Sequence, residues 1–214
     1  MNDPDKFDPS SVENLVTALP HQTDFILVGG SSVEEGETAV CVTALKKASQ
    51  LPIILFPGSY QQIEPQADAL FFMSLLSGDN PEYLIHQQRK SIDRILASTL
   101  EIIPTAYILI DGGCYTSVEK VSQTQGLSQD DIKYIVDTVM AGEFMGKSCV
   151  YLEAGSGADY PVSTEIVKAV KAVSSMVVIV GGGIRTIEQQ KELYDAGADL
   201  LVVGTAFEQQ IESL

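Results

Sequence analysis

Seven short apolar runs alternate along the chain with longer segments that carry apolar residues at helical spacing. The runs occupy residues 24–28, 51–56, 68–73, 105–110, 148–152, 176–180 and 199–203. Nearly continuous hydrophobicity is typical of strands buried on both faces, as in a parallel sheet covered by helices. The pattern therefore predicts repeated βα units in an α/β fold. Since no Pro/Ser-rich linker interrupts them, it also predicts a single domain over residues 1–214.

Capping signals indicate where several predicted helices begin and end. A hydroxyl residue followed three positions later by Glu or Gln forms a capping box, and two such pairs are Ser10 with Glu13 and Thr186 with Gln189. Asn80 precedes a proline, which suits the first position of a helix. Gly197 lies where a helix commonly ends in a left-handed residue.

Glycines follow nearly every predicted strand, and their pattern distinguishes two arrangements of βα units. An open sheet that binds a dinucleotide carries GxGxxG after its first strand, and this sequence has no such fingerprint there. Glycine turns at residues 181–183 and 204 instead follow the last two strands, whose loops build the phosphate site of many (β/α)8 barrels. The sequence therefore favours a (β/α)8 barrel.

Two departures from a complete barrel are visible in the sequence. Only nine residues, 59–67, lie between Gly58 and Asp68, which is too few for a crossover helix with its two loops. We expect a single turn or an extended segment in place of one barrel helix. A barrel requires eight strands and the sequence shows seven, so the first strand is expected to be missing ahead of Asp3. The predicted barrel is thus N-terminally incomplete.

Composition restricts the classes of ligand and the location. The formal net charge of −16 would repel a phosphate backbone, which argues against nucleic-acid binding. No apolar run is long enough to span a bilayer and the N-terminus lacks the pattern of a signal peptide, so a cytoplasmic location is predicted. An anionic ligand must be held by backbone amides, a metal or a few local cations. The isolated Cys41, Cys114 and Cys149 are expected to be reduced core thiols.

The glycine turns after the last two apolar runs predict a phosphate site. A glycine turn that opens a helix presents unpaired backbone amides, which bind a phosphate without Lys or Arg. Gly182 and Gly183 with Gly204 and Thr205 are the candidates, and Arg185 is close enough in sequence to assist. The alternative is that the glycines only permit tight turns. If phosphate binds there, a side chain at Gly182 is expected to block binding with little effect on stability.

The segment VYLEAGSGA at residues 150–158 supplies a candidate general base. Strand alternation places Tyr151, Glu153 and Gly155 on one face. A glutamate at the mouth of an apolar barrel has a raised pKa, which suits proton abstraction. The alternative is a structural Glu153 paired with Arg or Lys. His86 lies in a predicted surface helix, so histidine catalysis and zinc chemistry are not expected.

Oxygen ligands near the start of the chain suggest a magnesium site. The DPDK segment at residues 3–6 supplies Asp3 and Asp5, although Asp-Pro also simply starts turns. Ser31 ends the next predicted strand, and a carboxylate with a hydroxyl is suited to Mg²⁺. Asp111 follows another strand, where it either lines the site or caps a turn.

Taken together, these motifs resemble those of the geranylgeranylglyceryl phosphate synthase family. The resemblance rests on DPDK at residues 3–6, GGS at 29–31, FPGS at 56–59, SLLSGDNP at 74–81, YLEAGSG at 151–157, GGGIR at 181–185 and GT at 204–205. It covers almost the whole chain in order. It implies a modified (β/α)8 barrel whose third helix is replaced by a strand-like segment. Relatives carry a first strand before DPD, in some members with a phosphate-contacting lysine at the position that is Met1 here.

The resemblance also implies an activity and a set of site residues. The activity is a Mg²⁺-dependent prenyl transfer that joins sn-glycerol 1-phosphate to geranylgeranyl diphosphate and releases diphosphate. Glu153 would be catalytic, and Asp3 and Ser31 would hold Mg²⁺. The residues implied to bind glycerol phosphate are Tyr151, Leu152, Glu153, Ala154, Gly155, Ser156, Gly157, Gly182, Gly183, Gly204 and Thr205. A homo-oligomer is the expected assembly.

Two alternatives to this function stay open on the sequence. A heptaprenylglyceryl phosphate synthase would use a longer prenyl donor in the same chemistry. A non-catalytic, phosphate-binding barrel fragment would follow from the missing first strand. A sugar-phosphate isomerase is disfavoured because it needs a second acid or base opposite Glu153, and the sequence offers none.

Overall fold

A computed structural model describes residues 2–204. Each of the seven apolar runs overlaps a strand, as predicted. The strands are β1 (Ile26–Val28), β2 (Ile53–Leu55), β3 (Ala69–Leu75), β4 (Glu101–Leu109), β5 (Cys149–Glu153), β6 (Val177–Gly181) and β7 (Leu200–Val202). All observed pairings are parallel, and the strands follow one another in the sheet in chain order. β4 begins four residues before its apolar run, because the Glu101 amide already donates to Asp68 O at 3.0 Å.

Helices occupy the segments between most strands. They are α1 (Val12–Ala18), α2 (Glu37–Ala48), α3 (Gln87–Leu96), α4 (Ser117–Ser122), α5 (Ile132–Phe144), α6 (Thr164–Val173) and α7 (Ile187–Ala196). Between β2 and β3 there is only the 3-10 turn Tyr60–Gln62, so the predicted loss of a helix at this position is confirmed. Within residues 2–204, no helix is both long and apolar enough to cross a membrane.

The predicted helix ends are partly right. Thr186 and Gln189 form the expected capping box at α7, and Gly197 ends that helix with φ 109°. The capping box predicted at Ser10 is wrong. α1 begins at Val12, and the Asp8 carboxylate accepts a hydrogen bond from the Ser10 amide at 2.9 Å. Asp8 precedes a 3-10 turn that begins with Pro9. The N-cap of this segment is therefore the side chain of Asp8 and not that of Ser10. Asn80 Oδ1 accepts from the Glu82 amide at 3.0 Å, as an N-cap does.

The described chain divides into two compact units. The first comprises residues 2–72 and 87–102, and the second comprises residues 73–86 and 103–204. Each has its own apolar core. The first core includes Ile26, Val28, Cys41, Val42, Leu45, Ile53, Leu55 and Leu70. The second includes Ile108, Ile135, Val139, Val150, Leu152, Val167, Val170, Val178 and Val180.

Strand alternation in the second unit determines which side chains of β5 face away from the apolar core. Val150 and Leu152 of β5 lie in the core with residues of α5 and α6. The alternate residues Tyr151 and Glu153 face away from that core, and register pairs Glu153 with Gly181 on β6. Burial of the helix-facing residues therefore places Tyr151 and Glu153 on the opposite face of the strand.

The cysteines are not all core residues. Cys41 and Cys149 are buried, as predicted, whereas Cys114 is half-buried in the loop after β4, where its Sγ lies 3.8 Å from Gly157 O. Cys114 is therefore not a core thiol.

Thr186→Ala is expected to lower the free energy of unfolding by about 1 kcal/mol, because it removes the hydroxyl that accepts from the Gln189 amide. Urea denaturation monitored by circular dichroism measures the change. Ser10→Ala is the control, since Ser10 is exposed and its hydroxyl bonds only Asp8 in the described structure. Its effect should stay within about 0.5 kcal/mol. Equal losses in the two variants would contradict the assignment of the capping box.

Candidate active site

Glu153 lies at the carboxyl end of β5 and is almost fully buried, with 6% of its surface exposed. Its Oε1 accepts a hydrogen bond from the Gly155 amide at 2.7 Å, and its carboxylate accepts another from the Tyr151 hydroxyl. Burial raises the pKa of Glu153 to about 7, and the two hydrogen bonds only partly oppose that rise. The donors are neutral, so the alternative of a salt bridge to Arg or Lys does not describe this residue.

Tyr151 is held rigidly beside Glu153. Its ring lies 5.6 Å from that of Tyr107, centroid to centroid, and both residues are buried. Burial and the neighbouring Glu153 raise the pKa of both phenols well above the ordinary value, so both stay protonated at neutral pH. The Tyr151 hydroxyl lies over Gly181, where a Cβ would be only 2.1 Å away. The prediction from strand alternation that Tyr151 and Glu153 share one face is confirmed. The packing of the Tyr107 ring against Tyr151 was not predicted from the sequence.

The glycine turn after β6 packs directly against the turn after β5. A Cβ at Gly182 would lie 2.5 Å from the Gly155 nitrogen and 2.7 Å from Glu153 Oε1, and one at Gly183 would lie 2.5 Å from Tyr160 O. Both glycines adopt left-handed backbone, with φ 84° and 69°. This geometry argues against the expectation that a side chain at Gly182 would have little effect on stability. The turn requires glycine for its backbone conformation and for its close approach to Glu153.

Arg185 does not extend toward the glycine turn as an isolated cation. Its guanidinium donates to Ala158 O at 2.7 Å and Asp159 O at 3.3 Å, so it ties the loop after β5 to the loop after β6. These bonds use only part of the five N–H donors of the guanidinium, so the expectation that Arg185 assists a phosphate stays a prediction. Sequence distance alone gave no sign of the two carbonyls that engage it.

The other residues of the candidate phosphate site contribute in different ways. Leu152 and Ala154 lie in the helix-facing core, so only their backbone can reach a ligand. Ser156 and Gly157 are exposed in the loop that follows. Gly204 is half-buried just after β7, and Thr205 lies outside the described residues.

Asp3 lies in the first unit against the turn that follows β1. Its Oδ1 is buried and has no hydrogen-bond partner among residues 2–204, while its carboxyl group also bonds Asp5 and pairs with Lys6 at 3.5 Å. Burial, with a further contribution from Asp5, raises the pKa of Asp3 to about 7. The unsatisfied buried oxygen and the second carboxylate are what a hard cation would stabilise.

The turn at residues 29–31 brings Ser31 next to the residue on which Asp3 packs. A Cβ at Gly30 would lie 2.2 Å from Asp3 Oδ1, so the carboxylate sits directly on that glycine. Within residues 2–204 there is no cluster of three or more His, Cys, Asp or Glu side chains that could hold a metal ion. The feature that fits Mg²⁺ is the buried Oδ1 of Asp3, which has no hydrogen-bond partner among residues 2–204, since this ion takes few protein carboxylates and fills its coordination with water or phosphate oxygens. The Mg²⁺ site at Asp3 and Ser31 stays a prediction.

Gln62 is a buried residue near this turn that sequence analysis missed. Its amide nitrogen donates to Gly30 O at 2.8 Å, and its amide oxygen accepts from Gly30 N at 3.3 Å. The sequence signal was a glutamine in the segment where a helix is missing, which by itself does not indicate burial. Asp111 proves to be a turn cap, with Oδ1 accepting from the Gly113 amide at 2.8 Å. His86 is half-exposed, and its Nδ1 lies 3.3 Å from Glu82.

Comparison with known proteins shows which family and which solved structures this chain resembles. The model of the PcrB family matches residues 2–214. A geranylgeranylglyceryl phosphate synthase of Zunongwangia profunda is 48% identical over 206 residues, which cover 96% of this chain and 88% of the relative. The solved geranylgeranylglyceryl phosphate synthase of Thermoplasma acidophilum, in complex with sn-glycerol 1-phosphate, is 39% identical with a TM-score of 0.88 over 97% of this chain and 84% of that one. The synthase structure of Thermoplasma volcanium gives a TM-score of 0.89 at 35% identity, covering 99% of this chain and 86% of that one.

These matches extend along nearly the whole chain, and their identities and structural agreement are far above those that indicate a shared fold alone. They confirm the α/β fold class with its parallel strands and the resemblance found in the sequence motifs. The chain therefore belongs to the PcrB family.

Proposed function

We propose that this protein is a geranylgeranylglyceryl phosphate synthase. It joins the free primary hydroxyl of sn-glycerol 1-phosphate to geranylgeranyl diphosphate and releases diphosphate. The observation that carries the proposal is the buried Glu153 with its Tyr151 and Gly155 donors beside the glycine turn, in a chain 39% identical to a synthase solved with sn-glycerol 1-phosphate.

The reaction requires one proton to leave the attacking hydroxyl. The hydroxyl oxygen forms a bond to the allylic carbon, the bond between that carbon and the diphosphate oxygen breaks, and the proton passes to Glu153. A pKa of about 7 lets Glu153 be partly ionised near neutral pH while remaining basic enough to accept the proton. The Tyr151 hydroxyl and the Gly155 amide orient the carboxylate during this step.

The glycerol phosphate group is bound by backbone in this proposal. The turn at Gly182 and Gly183 offers amides without side chains that would obstruct a phosphate. Gly204 and Thr205 are the further candidates from the sequence, and Thr205 lies outside the described residues. Arg185 supports the site indirectly, because its guanidinium donates to the carbonyl oxygens of Ala158 and Asp159 in the neighbouring loop. Backbone recognition suits a chain with 13 Lys and Arg against 29 Asp and Glu.

Asp3 and Ser31 are the proposed Mg²⁺ ligands. When bound, the ion would neutralise negative charge on the leaving diphosphate. The buried Oδ1 of Asp3 supports this assignment, since a metal would supply its missing partner. A cytoplasmic location and a homo-oligomeric assembly also belong to the proposal, and both rest on the sequence.

The purified protein is expected to convert sn-glycerol 1-phosphate and geranylgeranyl diphosphate to an ether product in the presence of Mg²⁺. Radiolabelled glycerol phosphate, extracted into organic solvent after incubation with C15, C20 or C35 diphosphate, measures the product. The C20 donor should give the highest kcat/KM. Preference for C35 would establish heptaprenylglyceryl transfer instead, and no product from any donor would leave only phosphate binding.

Glu153→Gln is expected to lower kcat by roughly 10²- to 10⁴-fold, because the amide cannot accept the proton. Glycerol phosphate should still bind, since the amide preserves the size of the side chain. Steady-state kinetics and calorimetry measure the two effects separately. An unchanged kcat would remove Glu153 from the mechanism.

The same residue predicts a pH dependence. Since the pKa of Glu153 is raised to about 7 in the folded protein, the base is protonated below that pH and kcat/KM should rise as pH increases through about 7. Between pH values of about 4.5 and 7, Glu153 is protonated in the folded protein and ionised in the unfolded chain. The free energy of unfolding should therefore fall as pH rises through that window. In Glu153→Gln both dependences on this group should disappear.

Gly182→Ala is expected to abolish measurable glycerol phosphate binding and to lower the melting temperature. The matched control is Gly146→Ala, because Gly146 has nearly the same left-handed backbone, φ 86° against 84°, and no atom within 4 Å of its added Cβ. In the control, backbone strain should lower the melting temperature without loss of glycerol phosphate binding. Calorimetry that detected intact binding in Gly182→Ala would refute the phosphate assignment.

A further inference from the structure

The turn that replaces the missing helix carries one buried amide side chain. Gln62 is 2% exposed and lies at the end of the 3-10 turn Tyr60–Gln62 between β2 and β3. Both ends of its amide bond Gly30: Nε2 donates to Gly30 O at 2.8 Å, and Oε1 accepts from Gly30 N at 3.3 Å. A single side chain therefore satisfies both backbone groups of Gly30 in a buried position.

Gly30 lies in close contact with Asp3 and Gly58. A Cβ at Gly30 would lie 2.2 Å from Asp3 Oδ1, and a Cβ at Gly58 would lie 2.4 Å from Gly30 O. Ser31 is the next residue along the chain. Displacement of the Gly30 peptide would consequently shift the surface on which Asp3 packs and the backbone that carries Ser31.

Gln62 is itself held in place from α3. The Tyr60 amide donates to Gln87 Oε1 at 2.7 Å, and Arg94 donates to Gln61 O at 3.1 Å. The Arg94 guanidinium also lies 5.8 Å from the centre of the Tyr60 ring. Because the backbone on the N-terminal side of Gln62 is anchored, its amide can hold Gly30 in one position instead of following it.

We propose that Gln62 is a positioning residue of the transferase reaction, which holds Gly30 so that Asp3 and Ser31 present their oxygens to Mg²⁺. The inference rests on the proposed function, since it takes Asp3 and Ser31 as the ligands. Gln62 acts through Gly30 and does not touch substrate or metal. The turn that takes the place of a barrel helix thereby becomes part of the active-site support.

Gln62→Met tests this role, because methionine fills a similar volume and removes both hydrogen bonds to Gly30. It is expected to weaken binding of Mn²⁺, used as the spectroscopic substitute for Mg²⁺ and titrated by electron paramagnetic resonance, by about 10-fold or more. The Mg²⁺ concentration for half-maximal activity should rise similarly, whereas the dissociation constant for glycerol phosphate in metal-free buffer should stay within about twofold. The Gly30 amide should exchange faster with deuterium.

The matched control is Gln61→Met, on the same turn but exposed, where the side-chain contact is a 3.5 Å approach to Glu35. It should leave all these quantities within about twofold of the unaltered protein. Asp3→Asn removes a proposed ligand and sets the scale for loss of the metal site. If Gln62→Met does not fold, Gln62→Leu carries the same test, because leucine is also uncharged and removes both hydrogen bonds to Gly30.

Unchanged Mn²⁺ affinity in a folded Gln62 variant, with Asp3→Asn impaired, would overturn the inference while leaving the proposed function intact. Equal losses of Mn²⁺ and glycerol phosphate binding would also overturn it, since they would indicate general disruption. Failure of the proposed function has a different signature, because the unaltered protein would then make no ether product. Mn²⁺ binding and Gly30 exchange report on Gln62 without relying on that product.

Discussion

The burial of the Glu153 carboxylate is the constraint on which the rest of the candidate site depends. An ionisable group at the end of β5 is removed from water, and the donors to it within residues 2–204 are the Tyr151 hydroxyl and the Gly155 amide. The surrounding structure must therefore be built closely around these groups. Gly181 leaves room for the Tyr151 hydroxyl, and Gly182 leaves room for the carboxylate. The same burial that costs charged Glu153 free energy raises its pKa to about 7, where a general base is effective.

The acidity of the whole chain favours the proposed recognition of phosphate by backbone amides. With a formal charge of −16, the long-range field does not favour anions, so local donors must do so. The left-handed Gly182 and Gly183 provide a bare turn, and Arg185 secures the adjoining loop by bonding two carbonyls. Arg185 therefore stabilises the shape of the loop that adjoins the glycine turn.

The loss of one helix is compensated by specific polar contacts in the first unit. The three-residue turn at Tyr60–Gln62 has little apolar surface to bury, so it is fixed by Gln87, Arg94 and Gly30 through hydrogen bonds. Such bonds are directional, whereas burial of a helix face is not. The hydrogen bonds to Gln87, Arg94 and Gly30 therefore fix the orientation of the turn.

The seven strands, the missing helix and the common face of Tyr151 and Glu153 could be predicted from the sequence, because burial and alternation act on neighbouring residues in the chain. The capping box at Thr186 was also predictable, because it depends on residues three positions apart. The bonds from Arg185 to two carbonyls and from Gln62 to Gly30 became visible only in the folded chain. Those contacts span 26 or more residues, so no local pattern records them. The pKa of Glu153 likewise follows from how completely the fold excludes water, which is a property of the packed chain.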